Sequence, residues 1–311
     1  MKKIHLILFV LALLVICGCR RQTGTDAEQE FSKDIYKGTK GLEMRFIKDM
    51  PMSKIYDTSD LTVLLELENK GTYDLSGTNC RLYLSGFDDK IIRGLDKTKI
   101  CSSFLEGKSP LNPEGGYSTQ QFSTDIIDLP DYLDSLNQRL LLTACYEYQT
   151  KASPVVCIDP NLYEIGPIER GCTVKDVSTA GGQGAPVAVS GVNVEMVGKD
   201  KVAFDIKISN VGGGTVIGPG ASVFTDCPYQ VDPKDYNIVR YGVDMSGGTK
   251  IRCTPEIEGS EKTRFVNNKG TIYCTFDISG DSAYTTPLRI TLYYNYMDSI
   301  SKDIEIIKTP G

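Results

Sequence analysis

Apolar residues recur at every second position along several stretches of this 311-residue chain. The clearest example is Leu61–Asn69, which ends at the turn signal Asn69-Lys-Gly71 and carries aliphatic side chains at Leu61, Val63, Leu65 and Leu67. Alternation with a period of two is typical of a β-strand that has one buried face. We therefore predict a half-buried strand over these residues.

A later stretch predicts two strands in succession. Arg139–Tyr148 has strand-like composition, Lys151–Pro154 has the composition of a turn, and Val155–Ile158 is again apolar. We interpret the three together as a hairpin. Helical periodicity is nearly absent, and only residues 131–138, which follow Pro130, could form one or two helical turns. These patterns predict an all-β fold.

Two landmarks of the first half recur in the second half, in the same order. The matched segments are Leu65–Gly71 with Ile206–Gly212, at an offset of 141 residues, and Leu142–Tyr148 with Ile290–Tyr296, at an offset of 148 residues. After each tyrosine segment we expect a turn and a closing strand, Val155–Ile158 and Ile304–Ile307. The pattern predicts two copies of one β-sandwich, and the alternative is two unrelated β segments that share common strand chemistry.

The repeat sets the predicted domain organisation. The first sandwich takes residues 41–165, a Gly-rich linker takes 166–186, and the second sandwich takes 187–311. The linker contains Gly181-Gly-Gln-Gly-Ala-Pro186, which has the composition of a hinge. We expect the two sandwiches to be arranged in series and to move relative to each other about this hinge.

The N-terminus has the composition of an export signal. Lys2 and Lys3 precede the uncharged run Leu6–Cys17, which is short compared with the roughly 20 apolar residues of a transmembrane helix. We predict a signal peptide over residues 1–18 and a polar, flexible tether over residues 19–40. A flexible tether of this length reaches about 25 Å on average, enough to lift a domain off a membrane.

Ile16-Cys17-Gly18-Cys19 resembles the lipobox of prokaryotic lipoproteins, although Cys17 is an unusual residue at the free position. The resemblance implies cleavage between Gly18 and Cys19, a lipid on the thiol of Cys19, and anchoring to a membrane of the cell envelope. An ordinary signal peptide with an incidental cysteine and a retained membrane anchor are the alternatives.

Charge and composition narrow the function classes. Removal of Lys2 and Lys3 with the signal peptide changes the formal charge from -6 to -8, and an acidic protein is a poor partner for nucleic acid. The only histidine is His5, inside the signal segment, so the mature protein lacks the Ser-His-Asp and Cys-His nucleophile systems and the usual catalytic zinc sites. We predict a protein that is not an enzyme, with no catalytic residues and no cofactor.

Acidic residues leave two chemical alternatives. A glycosidase-like carboxylate pair could be drawn from Asp88, Asp89, Asp128 and Asp131, but solvated surface charge is the preferred interpretation. The loops Asp232–Asp235 and Asp277–Asp281 offer oxygen ligands that suit calcium, although neither matches a complete EF-hand loop. We predict no metal site. No Gly-Lys-Ser/Thr follows Gly212–Gly214, so these glycines are assigned to a turn.

Eight cysteines remain once Cys17 is cleaved off and Cys19 is assigned to lipid: Cys80, Cys101, Cys145, Cys157, Cys172, Cys227, Cys253 and Cys274. An even number in an exported chain predicts a disulfide framework, for which 105 connectivities exist. The expected hairpin favours Cys145 with Cys157. Cys253 with Cys274 and Cys80 with Cys101 are the next predicted pairs.

The Asn-x-Gly turns and the Tyr-x-Tyr strands resemble the immunoglobulin-like, CARDB-type adhesion-related modules of prokaryotic surface proteins. Over about residues 41–310 the chain is also similar to two-domain surface lipoproteins of small-genome archaea. The resemblance implies two tandem immunoglobulin-like β-sandwiches and carries no catalytic residues. We expect a lipid-anchored surface protein that acts by adhesion to a protein or envelope polymer, or as a spacer. The alternative is a lipoprotein that captures a solute or peptide for a transporter or secretion system.

Overall fold

The structure is a computed structural model and describes residues 35–166, 170–179 and 182–310. The all-β prediction is confirmed, and burial alternates residue by residue along Leu61–Asn69 as expected. The short helix expected over residues 131–138 is wrong. A turn occupies its first residues, and from Ser135 the chain belongs to a long strand whose partner overrides the local sequence preference.

Strands are numbered in chain order. They are β1 (Leu42–Phe46), β2 (Lys54–Tyr56), β3 (Leu61–Asn69), β4 (Leu75–Ser76), β5 (Cys80–Ser85), β6 (Ile92–Arg93), β7 (Thr98–Ile100), β8 (Phe104–Leu105), β9 (Tyr117–Thr124), β10 (Ile126–Ile127), β11 (Ser135–Ala152), β12 (Val155–Ile158), β13 (Val177–Ser178), β14 (Val187–Met196), β15 (Lys201–Asn210), β16 (Thr215–Ile217), β17 (Ile238–Met245), β18 (Gly248–Thr254), β19 (Glu256–Ile257), β20 (Ser260–Arg264), β21 (Lys269–Ile278) and β22 (Tyr284–Ile307).

The largest sheet takes strands from both halves of the chain. Its order is β19-β20-β17-β22-β11-β5-β7, and β2, β12 and β16 also pair with β22. A three-stranded sheet, β1-β3-β9, comes from the first half, and a five-stranded sheet, β13-β14-β15-β21-β18, comes from the second. Buried apolar side chains of all three sheets form one continuous core, an arrangement consistent with β-sandwich layers in each half.

The halves are joined where β11 pairs with β22. The two strands run antiparallel over 18 residue pairs, from Ser135 opposite Ile307 to Ala152 opposite Ile290. Residues 35–311 accordingly cluster as one compact unit. The expectation of two sandwiches that move independently about a hinge is therefore wrong, because movement at the linker would break this ladder.

The expected hinge is itself part of the packing. Gln183, Gly184 and Ala185 are buried. The carbonyl oxygen of Gly184 accepts hydrogen bonds from the backbone N–H of Thr72 at 2.9 Å and from the hydroxyl of Tyr148 at 3.0 Å. Glycine is needed at this position, where φ is +63° and an added Cβ would lie 2.5 Å from the Thr72 side chain.

Neither expected closing hairpin forms. After Ala152 the chain does not reverse, because β12 continues along β22 with Val155 opposite Pro287 and Ile158 opposite Tyr284. In the second half, β22 is a single strand of 24 residues with no turn before Ile304. The two long strands therefore replace two hairpins.

Candidate binding surface and its support

Four buried tyrosines meet at the junction of the halves. Tyr146 lies opposite Tyr296 and Tyr148 opposite Tyr294, and neighbouring ring centroids are 5.8 to 6.3 Å apart. None of the four is more than 2% exposed. Tilted and edge-to-face aromatic pairs at this distance stabilise the fold by more than the burial of their apolar area alone. The cluster thus fixes one half against the other.

Each half brings its two repeated sequence landmarks into contact. A Cβ added at Gly71 would overlap the hydroxyl oxygen of Tyr148, and one added at Gly212 would come within 2.6 Å of the Tyr296 hydroxyl. The glycine of each Asn-x-Gly turn is therefore required by the tyrosine that approaches it. This shared contact gives a physical reason for the repeat detected in the sequence.

The asparagine of each motif holds its turn. Oδ1 of Asn69 accepts a hydrogen bond from the N–H of Gly71 at 3.2 Å, and Oδ1 of Asn210 accepts one from the N–H of Gly212 at 3.4 Å. The Tyr296 hydroxyl donates to the same Asn210 oxygen at 3.0 Å. Side-chain bonds of this kind stabilise a turn without a β ladder.

The tyrosine hydroxyls are held in their neutral form. Burial raises the pKa of Tyr296 to about 12, partly opposed by the hydrogen bond that its oxygen accepts from the N–H of Gly214. Burial also raises the pKa of Tyr146, Tyr148 and Tyr294 far above the usual value. The neutral phenol is therefore the form that packs in this cluster.

All eight predicted disulfide cysteines are paired. The bonds are Cys80–Cys101, Cys145–Cys227, Cys157–Cys172 and Cys253–Cys274. The pairings Cys80 with Cys101 and Cys253 with Cys274 are confirmed, while Cys145 with Cys157 is wrong. Cys145 in β11 and Cys157 in β12 both pair with the same strand, β22, where they lie opposite Met297 and Thr285. Twelve residues of extended chain, about 40 Å, separate them, so no disulfide can join them.

The Cys145–Cys227 bond fastens a second-half loop to the back of the large sheet. We use "back face" for the side opposite the four tyrosines. Cys145 and Tyr83 form a second, smaller apolar cluster there with Val223, Cys227 and Val231 of the loop 218–237. The Tyr83 hydroxyl donates to the Val223 carbonyl at 2.7 Å. The middle of the back face is thereby covered.

The candidate acid pairs lie in surface ion pairs. Lys97 contacts Asp89, Arg93 lies 2.8 Å from Asp128, and Lys308 lies 2.9 Å from Asp131. The Asp88 carboxylate accepts one hydrogen bond from the backbone N–H of Lys90 in its own turn, at 2.8 Å. Every one of these carboxylates therefore has a local structural role, which supports the interpretation as solvated surface charge.

The two loops considered for calcium make ordinary turn contacts. Asp232 accepts a hydrogen bond from the N–H of Lys234 and begins a 3-10 turn, Pro233–Asp235. The Asp281 carbonyl accepts from the Asn161 side chain at 2.6 Å. Within residues 35–166, 170–179 and 182–310, no group of three or more His, Cys, Asp or Glu is placed to hold a metal ion.

Cys19, the predicted lipid site, lies outside the described residues, as do the signal peptide and most of the tether. Among the residues that the structure does describe, there is no helix with the length and apolar character needed to cross a bilayer.

The back face next to the covered middle stays open and carries a group of mostly cationic and neutral polar side chains. We call this surface the basic platform. It consists of Gln149, Lys151, Arg240, Gly242, Asp244, Lys262, Arg289, Thr291 and Tyr293.

Strand register places the members of the basic platform in three rows. One row runs Lys262, Arg240, Tyr293 and Gln149 across β20, β17, β22 and β11. The next runs Gly242, Thr291 and Lys151, and the third pairs Asp244 with Arg289. Directly opposed residues share a face of the sheet, so all these side chains project to the same side. Four strands at about 4.8 Å spacing give the first row a width of about 14 Å.

Cations of the basic platform are largely without acidic partners. In the described part of the chain, Lys151, Arg240 and Arg289 have no carboxylate oxygen within 4.0 Å, and Lys262 only just reaches Glu258 at 4.0 Å. The Arg240 guanidinium instead stacks on the Tyr293 ring, 4.6 Å from its centroid. The platform therefore holds positive charge in a chain that is acidic as a whole.

A separate open depression of about 350 Å³ lies at the end of β3 and β9, lined by Asp60, Thr62, Gln121, Ser123, Thr124 and Asp125. Sites that capture small solutes are usually enclosed and mostly apolar, with a few placed polar groups. This depression is open and its lining is polar throughout, so it does not have the character of a capture site.

Sequence reasoning missed the basic platform. Its members come from four separate segments, and only the register between β11, β22, β17 and β20 brings them together. The sequence did contain one signal: the polar residues Gln149, Lys151, Arg289 and Thr291 occupy every second position of their strands and therefore one face of the sheet. The chain matches no model of a known protein family and no curated protein.

Proposed function

We propose that this is a non-catalytic, lipid-anchored cell-surface protein that acts by binding, or as a structural spacer, in the cell envelope. The lipobox-like Gly18-Cys19 supports the anchor. Four disulfides support an oxidising compartment outside the cytosol, since such bonds are rare where glutathione and thioredoxin keep thiols reduced. Each half is proposed to be a variant of the immunoglobulin-like sandwich.

One observation carries the binding role. The 18-residue pairing of β11 with β22 turns the two halves into a single frame, and this frame leaves a broad strand face open to solvent. Binding groups on the strands of a rigid frame keep a fixed spacing, which mobile loops do not provide. Support against catalysis comes from the lack of any histidine after His5 and from candidate carboxylates that are each engaged by a cation or a turn.

Attachment tests the proposal directly. The full-length chain and the Cys19→Ser variant are expressed in a prokaryotic host with a lipoprotein-processing pathway, and membrane and soluble fractions are compared. We expect the parent chain in the membrane fraction, with a mature N-terminus that mass spectrometry shows to be lipid-modified at Cys19. Cys19→Ser is expected to lose the lipid.

The matched control is Cys17→Ser, which changes a neighbouring cysteine at the free position and should leave processing intact. Protease added to whole cells should degrade the anchored chain if it faces outward. An unmodified Cys19 in a wholly soluble protein, or full protection from external protease, would contradict the proposed location.

A further inference from the structure

We propose that the basic platform binds an acidic polysaccharide, a sugar chain bearing carboxylate or sulfate groups, laid across strands β20, β17, β22 and β11. This inference rests on the proposed binding role. It does not depend on the lipid anchor, because binding to the platform can be measured in solution.

The charge of the basic platform favours an anionic ligand. Lys151, Arg240 and Arg289 lack carboxylate partners, while most exposed cations on the rest of the described surface form ion pairs. An anionic ligand that lies across the platform can contact several of these cations at once and gains attraction from each. A polyanion is therefore the ligand that the platform complements best.

Neutral polar groups among the cations favour a sugar chain over a polymer that has no hydroxyl groups. From strand geometry, the backbone positions of Lys151, Arg240 and Arg289 lie about 8 to 14 Å apart. Thr291, a neutral hydrogen-bonding group, lies between them, and Gln149 flanks Lys151 on the same face of β11. An acidic polysaccharide carries neutral hydroxyls between its charged groups in the same way, whereas a polyglutamate-like chain has no hydroxyls between its carboxylates.

The shape of the platform suits a sugar ring. Gly242 begins the middle row of the basic platform, and a Cβ built there meets no atom within 4 Å. The glycine leaves a shallow space beside the Tyr293 ring, which Arg240 covers on one side. A flat, partly aromatic surface lined by amide and hydroxyl groups suits a sugar ring, which has both an apolar face and hydroxyl groups.

Binding of polygalacturonate, a carboxylate-bearing sugar chain, to the purified full-length protein tests the inference. Neutral dextran and polyglutamate are the comparison ligands, and binding is measured by fluorescence anisotropy at low and at physiological salt. We expect polygalacturonate to bind at least about tenfold more tightly than either comparison ligand, and to weaken as salt screens the charges.

Two variants locate the site. Gly242→Glu places a carboxylate in the middle row, where there is room for it, and the triple variant Lys151→Ala, Arg240→Ala, Arg289→Ala removes the unpaired cations. Each should weaken polygalacturonate binding at least about tenfold. The matched control is Lys48→Ala, Lys90→Ala, Lys269→Ala, which makes the same charge change at exposed lysines elsewhere, each without a carboxylate within 4.0 Å. It should change binding less than about twofold.

Three results would overturn the inference: no preference for polygalacturonate over dextran, equal or tighter binding of polyglutamate, or equal effects of the platform variants and the control. The second result would assign the platform to an acidic peptide instead. Melting curves of all variants confirm that each is folded. A failure here leaves the lipid attachment at Cys19 unaffected, since that is measured by fractionation and mass spectrometry.

Discussion

The two halves carry the same motif at different depths. Asn69 in the first half is completely buried, and its amide donates to the carbonyls of Tyr73 and Leu105. Asn210 in the second half is partly exposed, and its amide donates to the carbonyl of Gly214 at 2.8 Å. The contact common to both is that of the glycine with a tyrosine hydroxyl. The role of the asparagine depends on how much chain covers it.

Each half also contributes an extension to the other. Strand β12, from the first half, adds to the edge of β22 in the second half. Loop 218–237, from the second half, covers the back of β11 and β5 and is bonded to Cys145. Because these extensions are reciprocal, the stability of each half depends on the other.

High pH should have the largest effect, and it should act on both halves. Burial raises the pKa of Tyr146, Tyr148, Tyr294 and Tyr296 above the value of about 10 in the unfolded chain. The neutral phenol is thus favoured by folding. The stability this provides is complete below about pH 10 and is lost as pH rises from there towards the folded pKa, about 12 for Tyr296.

Each of the four tyrosines should reduce the free energy of unfolding by about 1.4 kcal/mol per pH unit in that window. Urea unfolding at several pH values, followed by phenolate absorbance, measures the slope. Tyr294→Phe removes one titrating group and should reduce the slope by about 1.4 kcal/mol per pH unit. Tyr132→Phe, at a residue 84% exposed, should leave the slope unchanged. Unchanged stability up to about pH 11 would contradict the buried cluster.

Disulfide removal should distinguish the link between halves from a link within one half. Cys145–Cys227 spans 82 residues and Cys253–Cys274 spans 21. Loop-closure entropy predicts losses of about 4.5 and about 3.3 kcal/mol when each pair is replaced by alanine. Chemical denaturation of the two double variants measures this difference. A larger loss for the short loop would contradict the central role of the link between halves.

Alanine at the motif glycines should destabilise both halves, the first more strongly. A methyl group at Gly71 meets the Tyr148 oxygen and the rigid carbonyl of Gly184, while one at Gly212 meets the Tyr296 oxygen and the Pro186 ring. Overpacking of this kind typically reduces stability by about 1–3 kcal/mol, and we expect Gly71→Ala to lie at the upper end.

Thermal melting compares these two variants with Gly259→Ala, where a Cβ meets nothing within 4 Å but φ is +67°. That control reports backbone strain without overlap. If it destabilised as much as Gly71→Ala, the tyrosine contact would not be the reason for the motif glycine.

Asparagine replacement should give the smallest effects and the clearest asymmetry. Asn69→Ala leaves the buried carbonyl of Leu105, the partly buried carbonyl of Tyr73 and the buried N–H of Gly71 without their partner, at a cost of about 2 kcal/mol. Asn210→Ala leaves the partly exposed backbone groups of Gly212 and Gly214 to water and removes one acceptor of the Tyr296 hydroxyl, and it should cost about 1 kcal/mol. Equal losses in urea unfolding would show that the difference in depth has no energetic consequence.

Local patterns predicted the strands but not their partners. The alternation of Leu61–Asn69 gives β3, and the repeat of Asn-x-Gly and Tyr-x-Tyr correctly marks equivalent places in the two halves. The segment that ends at Pro154 predicts a turn, because proline lacks a backbone N–H and interrupts a ladder. An interruption does not reveal whether the chain reverses, and here it continues beside β22.

The same limitation explains the missed platform. The polar run around Asp298–Lys302 has the composition of a loop, yet it continues β22 because β11 offers a partner over its whole length. Pairing between residues about 150 positions apart leaves no periodic signal in the sequence. Lys151, Arg240 and Arg289 could be recognised as neighbours only once that register was known.

Native-state hydrogen exchange tests most directly whether the halves form one unit. Amides of β11 around Leu142–Tyr148 and of β22 around Tyr294–Ile300 should exchange with the same free energy, close to that of global unfolding. Peptides from β3 in the first half and β15 in the second should become exposed together as denaturant is added. Two separate opening transitions, with β11 exchanging well before β22, would show that the halves are independent and would contradict the account.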